Sequence, residues 1–398
     1  MTTSLTRPPH RLTNMPFSPF TVYALRIARS SGLALACTLA ACGTAKNAPA
    51  DSTVAMRTDS TSNSSMKPDS ASAMTRSITP STEQQSVLDA LGSLGGKPIE
   101  TLTAIEARKQ PSPTDGVMAL LKKQGKSTAP EAVGSVVNRT IPGPGGPLPV
   151  RIYTPTGAGP FPVIVYFHGG GWVIATNDTY DGSARALTNA VGAVLVSVEY
   201  RKAPEHKFPA AHDDAFAAYQ WAIRNAAALN GDPARIALAG ESAGGNLAIA
   251  TAITARDRNV ALPVHILAVY PIAGIDTATA SYAQNAAAKP LSRPMMSWFF
   301  NMYAPTPAAR QDPRINLVAA NLKGLPPVTI VSAEIDPLRT EGEQLAARLS
   351  QAGVQVQQRT FPGMAHEFFG QGAVVPQAKD AVRYGADGLK DGFQKISR

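Results

Sequence analysis

Cysteine is nearly absent from this chain of 398 residues, which has only Cys37 and Cys42. Both lie in or at the edge of an N-terminal segment that we predict to be a removable export signal. The mature protein would then have no internal disulfide bond and no thiol nucleophile, so cysteine chemistry is excluded. Charged residues are also scarce at 16% of the chain, whereas hydrophobic residues make up 44%. This composition permits a large buried core.

A concentrated basic region is also lacking, although the net charge is +9. Four arginines precede Cys42 with no acidic residue beside them: Arg7, Arg11, Arg26 and Arg29. The remaining lysines and arginines are scattered, without a basic run and without interleaved aromatic residues. A nucleic-acid partner is therefore not expected.

The N-terminal apolar stretch is too short to cross a bilayer, which takes about 20 residues. This stretch, residues 31–41, follows Arg26 and Arg29 and has the charged, apolar and small-residue zones of a secretory signal. It ends in Leu39-Ala40-Ala41-Cys42, which resembles a bacterial lipobox, where the cysteine is lipidated and the chain is cut before it. Cys37 fits less well because Ala34, not leucine, stands three residues before it. The alternative is an ordinary signal peptide with Cys42 incidental.

Residues 1–41 are therefore predicted to be a signal peptide of the lipoprotein type, with Met15 as an alternative start to Met1. The mature protein would be exported and anchored to a membrane through Cys42, facing the periplasm or the cell exterior. The alternative is a soluble secreted protein. Residues 42–84 are rich in serine, threonine and alanine and have neither helical nor strand periodicity, which predicts a disordered tether.

Residues 85–398 have the pattern of an α/β domain. Apolar positions in 85–126 predict two amphipathic helices around Gly95-Gly96, and 136–142 with 148–154 predict an antiparallel hairpin. Strands and helices then alternate, which predicts a mostly parallel sheet with helices on both faces. The predicted strands are 162–167, 193–198, 235–239, 265–270, 328–333 and 355–360. The predicted helices are 181–191, 213–228, 244–255, 339–351 and one from about 377.

An insertion interrupts this alternation between the strands 265–270 and 328–333. It contains a run of large apolar side chains at 294–303, which predicts a helix. We expect two segments, about 85–130 and 275–310, to form a helical cap over the sheet.

Ser242 is the candidate nucleophile, in the sequence Gly240-Glu241-Ser242-Ala243-Gly244. This G-x-S-x-G pattern lies directly between a predicted strand and a predicted helix. Flanking glycines permit a tight turn that exposes the serine hydroxyl at the carboxyl end of the sheet. The N-terminus of the following helix directs N–H groups and a positive dipole at the same place.

A serine nucleophile needs a base and an acid, which follow it in the order acid, then histidine, in α/β hydrolases. His366 is the candidate base because it lies among turn residues after a predicted strand. His265 is less suitable because it begins an apolar strand. Asp336 follows another strand and could orient the imidazole and stabilise its cation. Glu334 is the alternative acid.

Acyl transfer also needs hydrogen-bond donors for the developing oxyanion. The glycines of Phe167-His168-Gly169-Gly170-Gly171-Trp172 follow a predicted strand, and they let bare N–H groups approach a substrate oxygen. With the N–H of Ala243, they are the candidate oxyanion hole. His168 precedes Ser242 in the chain and is interpreted as a residue that braces the loop.

These motifs resemble those of the hormone-sensitive lipase family of esterases: His168-Gly-Gly-Gly171, Gly240-Glu-Ser-Ala-Gly-Gly245, the block 200–211 and Asp336-Pro-Leu-Arg339. The similarity extends from about residue 85 to the C-terminus. It implies an α/β-hydrolase fold, a catalytic triad, no cofactor and a cap. Glu241 and Thr340 depart from the commonest family pattern, which affects subfamily and substrate preference.

The predicted function is hydrolysis of carboxylic esters through an acyl-enzyme intermediate, and the resemblance implies short to medium acyl chains. The interpreted substrate pocket includes Trp172, Glu241 and Trp298, although such aromatic residues are as often core of the cap. Glu205 and Asp214 are interpreted as braces beneath the glycine loop. One alternative function is an amidase or peptidase with the same triad, and another is a ligand-binding protein without catalysis.

Overall fold

The computed structural model describes residues 78–395. The predicted signal peptide 1–41, Cys42 and most of the predicted tether 42–84 lie outside the described residues. Within 78–395, every helix is too short or too polar to cross a bilayer.

A single eight-stranded sheet forms the centre of the fold. Its spatial order is β1-β2-β4-β3-β5-β6-β7-β8. The β1–β2 and β2–β4 pairs are antiparallel, and all other pairs are parallel. This arrangement confirms the predicted mostly parallel sheet. The strands are β1 Ser135–Gly143, β2 Gly146–Thr154, β3 Phe161–Phe167, β4 Val194–Val198, β5 Gly231–Glu241, β6 Ile266–Val269, β7 Val328–Ile335 and β8 Val356–Ala365.

Helices cover both faces of this sheet, as the alternating pattern predicts. The principal ones are α4 Asp181–Val191, α5 Ala210–Asn225, α6 Ala243–Asp257, α10 Arg339–Gln351 and α11 Pro376–Gln394. Successive β3 side chains point to opposite faces: Val163 and Val165 belong to the core under α5 and α6, whereas Ile164 and Tyr166 belong to the core under α4 and α11. A strand buried on both faces needs a continuous apolar run, which β3 has.

The N-terminal part of the domain has three helices where the sequence predicts two: α1 Thr82–Ser93, α2 Ala104–Ala107 and α3 Pro113–Lys123. The predicted tether to residue 84 is too long, because the helix begins at Thr82. The Ser81 side chain caps it by accepting a hydrogen bond from the backbone N–H of Gln84. The Gln84 side chain is buried and donates to Gln371 at 3.2 Å. These polar partners fix residues whose composition alone reads as loop.

The insertion forms α7 Ala280–Gln284, α8 Arg293–Tyr303 and α9 Pro307–Gln311. The predicted helix at 294–303 is thus confirmed as α8. Its Trp298 donates a hydrogen bond to the Leu102 carbonyl at 3.2 Å, which joins the insertion to the N-terminal segment. In contrast, Val87 of α1 and Leu120 of α3 pack into the core on the α4 and α11 side of the sheet. Only part of the predicted cap segment 85–130 therefore contacts the insertion.

Candidate active site

Ser242 occupies a strained turn between β5 and α6. Its backbone angles, φ 55° and ψ −116°, are unusual for a residue with a side chain. Such strain is typical of a serine that is held exposed at the end of a strand. Gly244 allows the turn to lie against β3, since a Cβ there would be 1.9 Å from the Phe167 carbonyl oxygen. The helix therefore begins directly beside the end of β3.

The structure brings Ser242, His366 and Asp336 together in the arrangement of a catalytic triad. His366 Nε2 lies 3.0 Å from Ser242 Oγ, and His366 Nδ1 lies 2.7 Å from Asp336 Oδ2. Asp336 follows β7 and His366 follows β8, so neighbouring parallel strands present both groups at one edge of the sheet. All three residues are at most 4% exposed. This arrangement allows the histidine to take the serine proton while the carboxylate orients the ring.

Glu334 and His265, the alternative acid and base, have other partners. The Glu334 carboxylate accepts a hydrogen bond from the backbone N–H of Gly363 at 2.7 Å. His265 is paired with Thr329 at 2.9 Å, and burial lowers its pKa to about 4. Glu334 is therefore bound to the β8 backbone and His265 packs under α11, so the alternatives weighed from sequence are not supported.

The pKa of His366 is set by opposing effects. Burial by itself lowers it, but the charge and hydrogen bond of Asp336 raise it above its ordinary value, with further contributions from Glu367 and Glu241. A raised pKa means that the surrounding charges favour the imidazolium form. That form appears when the histidine accepts the serine proton.

The glycine loop Gly169-Gly170-Gly171 provides donors beside this triad. Within residues 78–395, none of the three glycine N–H groups donates a hydrogen bond to another protein group. Ala243 is the first residue of α6, so its N–H has no carbonyl partner inside the helix. Gly169 lies against the nucleophile turn, since a Cβ on it would be 3.2 Å from the Glu241 carbonyl oxygen. The structure thus brings the glycine loop to the Ser242 turn with free donors on both.

Comparison with known proteins places this geometry in a family. A family described as having the α/β-hydrolase fold matches residues 164–370. Carboxylesterase NlhH of Mycobacterium tuberculosis is 42% identical over 248 residues, which cover 61% of this chain and 78% of that protein. Ethyl acetate hydrolase of Pseudomonas putida is 33% identical over 298 residues, which cover 73% of this chain and 92% of that protein. The chain belongs to the hormone-sensitive lipase-like family of α/β hydrolases.

Solved structures agree with this assignment. An esterase of the archaeon Pyrobaculum calidifontis superposes with a TM-score of 0.69 at 36% identity, covering 76% of this chain and 96% of that one. A carboxylesterase cloned from a metagenomic library, EstE1, has the same TM-score at 35% identity and covers 74% of this chain and 99% of that one. The fold of this hydrolase-family chain is therefore that of experimentally solved esterases.

The residues interpreted as a substrate pocket are buried and make specific contacts in this hydrolase. Trp172 is fully buried and stacks on Tyr303 of α8, with 4.7 Å between ring centroids. Trp298 is 8% exposed and bonded to the Leu102 carbonyl. Glu241 is buried and accepts hydrogen bonds from tyrosine hydroxyls. In the structure the two tryptophans thus join the cap to the core and Glu241 lies beneath the nucleophile turn, and a part for these residues in a substrate pocket stays a prediction.

The residues around the glycine loop brace it from below. His168 is buried and stacks on Tyr200 at 4.3 Å, and burial lowers its pKa to about 4, so it is unsuited to act as the base. The Tyr200 hydroxyl donates to the carbonyls of His168 and Gly169. Asp214 binds Arg201, and Glu205 binds Arg108, whose side chain also donates to the carbonyls of Val173 and Ala203; that the two carboxylates brace the glycine loop stays a prediction.

Sequence reasoning missed one group of residues next to the triad. Glu367 follows His366 and accepts a hydrogen bond from the Tyr180 hydroxyl at 2.6 Å. Tyr270 packs its ring 4.5 Å from that of His366. These residues come from distant parts of the chain, and only the position of Glu367 beside the base could have indicated a role.

Proposed function

We propose that this protein, a serine carboxylesterase by family and by its triad, hydrolyses esters of short- to medium-chain acids. The observation that carries this proposal is the chain of contacts from Ser242 Oγ to His366 at 3.0 Å and from His366 to Asp336 at 2.7 Å. All three residues of this series of contacts are present, which argues against a ligand-binding protein without catalysis.

The geometry supports a two-step reaction. His366 Nε2 accepts the proton of Ser242, whose oxygen attacks the ester carbonyl carbon. The N–H groups of the glycine loop and Ala243 donate to the resulting oxyanion. His366 then gives its proton to the departing alcohol. Water, deprotonated by His366, releases the acid from the serine and restores the enzyme.

Two observations support a preference for small acyl groups. The Phe299 ring of α8 lies so close to the glycine loop that a Cβ on Gly171 would be 2.2 Å from it. The insertion therefore limits the space above the proposed oxyanion hole. Among the relatives, the protein of Pseudomonas putida is named ethyl acetate hydrolase, and a 30% identical protein of Mycobacterium tuberculosis is named a putative acetyl-hydrolase.

A series of p-nitrophenyl esters of increasing acyl length tests this proposal. We expect kcat/KM to be highest for short and medium chains and to fall for long ones, with no activity in Ser242→Ala. A preference for emulsified long-chain esters would overturn the size assignment. Matched p-nitroanilides test the amidase alternative, which would be favoured if they were cleaved as fast as the esters.

We also propose that the enzyme is exported and anchored through a lipid on Cys42. The support is the sequence Leu39-Ala40-Ala41-Cys42 after a short apolar stretch. Mass spectrometry of the mature N-terminus from a bacterial host should find a lipidated Cys42. The change Cys42→Ala should release the enzyme from the membrane fraction, and Cys37→Ala should not. An unmodified Cys42 in a membrane-free protein would refute the anchor.

A further inference from the structure

Two glutamates flank the catalytic residues without belonging to the triad. Glu241 immediately precedes Ser242, and Glu367 immediately follows His366. Glu241 is 1% exposed, and the Glu367 side chain is 18% exposed. The triad mechanism described above uses neither carboxylate.

Tyrosine hydroxyls supply most of the contacts to these carboxylates. Tyr166 of β3 donates to Glu241 at 2.6 Å, and Tyr270, just after β6, donates to its other oxygen. Tyr180, just before α4, donates to both oxygens of Glu367 at 2.6 and 2.7 Å. Within residues 78–395, neither carboxylate forms an ion pair with a lysine or arginine. Among the described residues, the one cation paired with either carboxylate is His366 in its protonated form, whose ring is also held by Asp336.

Ionising both of these carboxylates at once is unfavourable in free energy. Burial raises the pKa of Glu241 to about 7, and the nearby charge of Glu367 adds to this effect. The pKa of Glu367 is also raised, chiefly by burial and against the opposing charge of His366. Groups that interact in this way take up and release protons as a pair.

Glu367 contacts the catalytic histidine directly, and Glu241 is connected to it through Tyr270. Glu367 Oε1 lies 3.8 Å from His366 Nε2, the atom that receives the serine proton. Tyr270 connects the other glutamate, because its ring packs on the imidazole and its hydroxyl donates to Glu241. One carboxylate of the pair therefore lies beside the reacting nitrogen, and the other is one side chain further away.

The backbone at Glu367 also points to a role for its side chain. Its φ of 69° lies in the left-handed region, which glycine adopts freely and glutamate adopts only at a conformational cost. Contacts of the carboxylate must offset that cost. A small cavity bordered by Tyr180, Ser183, Glu241 and Glu367 lies against both carboxylates and has room for about one water molecule.

We propose that Glu241 and Glu367 share one proton at neutral pH and so hold a single negative charge near His366, which stabilises the imidazolium that forms as Ser242 attacks. They are positioning residues, since they act through His366 and do not touch the ester. The inference rests on the proposed esterase function of the same site.

The pH dependence of kcat/KM for a short p-nitrophenyl ester tests this arrangement, because its acid limb reports the pKa of His366 in the free enzyme. In Glu241→Gln or Glu367→Gln, the shared proton leaves and the remaining carboxylate keeps the charge. Each single variant should therefore shift the acid limb only slightly. The double variant removes the charge and should lower the pKa of the acid limb by about one unit or more.

The control is Asp232→Asn at the opposite end of β5, where the carboxylate binds Arg235 and should leave the acid limb unchanged. An unchanged acid limb in the double variant would overturn the proposal. It would also be overturned if the two single shifts added up to the double one, since both carboxylates would then be charged.

Infrared spectroscopy keeps the test open if the double variant fails to fold. Glu341→Gln should serve as the background, because burial raises the pKa of Glu341 to about 8 and its protonated form would otherwise contribute. At neutral pH we expect a protonated glutamate band that disappears in alkali, and its absence would overturn the shared proton. This signal requires no turnover. An enzyme with Ser242-dependent activity but no band fails the inference alone, whereas a folded enzyme that hydrolyses no ester fails the proposed function.

Discussion

Replacement of Gly171 by alanine should separate the catalytic role of the glycine loop from its structural role. Gly171 has a φ of 59°, in the left-handed region that disfavours any side chain. Its neighbour across the loop is Phe299, and a Cβ on Gly171 would lie 2.2 Å from that ring. The variant must therefore accept backbone strain and also displace either the loop or α8.

The size of the effect follows from these two contacts. The left-handed conformation costs an alanine about 1–2 kcal/mol, and overpacking a buried site adds about 1–3 kcal/mol. Displacement of the loop should also misplace a donor for the oxyanion, which costs about 10²–10³ in kcat. We expect Gly171→Ala to lose stability by about 2–5 kcal/mol and to lose kcat by about two orders of magnitude.

Denaturant unfolding and steady-state hydrolysis of a short ester provide the assay. Gly192→Ala is a matched control, because Gly192 has a φ of 70° at the end of α4 and, within residues 78–395, no atom lies within 4 Å of its Cβ position. It should cost only the backbone strain and leave kcat unchanged. Phe299→Ala should partly rescue Gly171→Ala, making the double variant about 1–3 kcal/mol more stable than the sum of the single effects. The reasoning would be refuted if Gly171→Ala and Gly192→Ala lost equal stability, or if Gly171→Ala left kcat unchanged.

Three other predictions concern the triad, a buried acid and the contact between the N-terminal segment and the core. Asp336→Asn should lower kcat by about 10⁴ while the fold survives, because an amide favours the wrong imidazole tautomer; near-normal turnover would contradict the triad. Glu341, with a pKa of about 8, stays protonated in the folded protein while the unfolded chain ionises from about pH 4.5, so stability falls as pH rises between these values. Glu341→Gln should therefore gain stability relative to the parent from pH 5 to 8, by on the order of 3–5 kcal/mol in urea unfolding, and a pH-independent difference would be evidence against it. Arg108 donates to the Val173 and Ala203 carbonyls, so Arg108→Ala should lower the free energy of unfolding by about 1–3 kcal/mol. Glu205→Gln should lower it by under about 1 kcal/mol, because its ion pair with Arg108 is exposed. Equal losses of stability in the two variants would be inconsistent with this explanation.

The sheet was predictable because its strands carry unambiguous local signals. Continuous apolar runs such as 162–167, each followed by a helical period, indicate parallel strands buried on both faces. Strand ends were harder to predict. Strand β8 extends to Ala365, five residues past the predicted end, because it continues alongside β7 up to His366. Partners on a neighbouring strand determine such ends, and a local pattern does not contain them.

The triad was predictable for a different reason, since chain order and strand context restrict which acid and base can reach Ser242. The same argument could not assign the aromatic residues. The sequence around Trp172 and Trp298 is compatible with either role, lining a pocket or joining a cap to a core. Their partners, Tyr303 and Leu102, lie more than 100 residues away and are known only from the fold.

Glu241 and Glu367 show a similar limit. Each is a single charged residue beside a motif, and its neighbours in the sequence do not show what its side chain contacts. Their proximity depends on β5, β8 and three tyrosines that the fold gathers from separate elements. A pair of carboxylates 126 positions apart gives no periodic signal that sequence reasoning could detect.

Covalent labelling of the nucleophile tests the central claim most directly. The enzyme is treated with a p-nitrophenyl phosphonate ester, digested and mapped by mass spectrometry. We expect one phosphonyl group on Ser242 and no adduct in Ser242→Ala or in unfolded protein. Esterase activity should fall in proportion to labelling and be lost completely when every Ser242 is labelled. Stoichiometric labelling at another residue, or a fully active enzyme with Ser242 blocked, would contradict it.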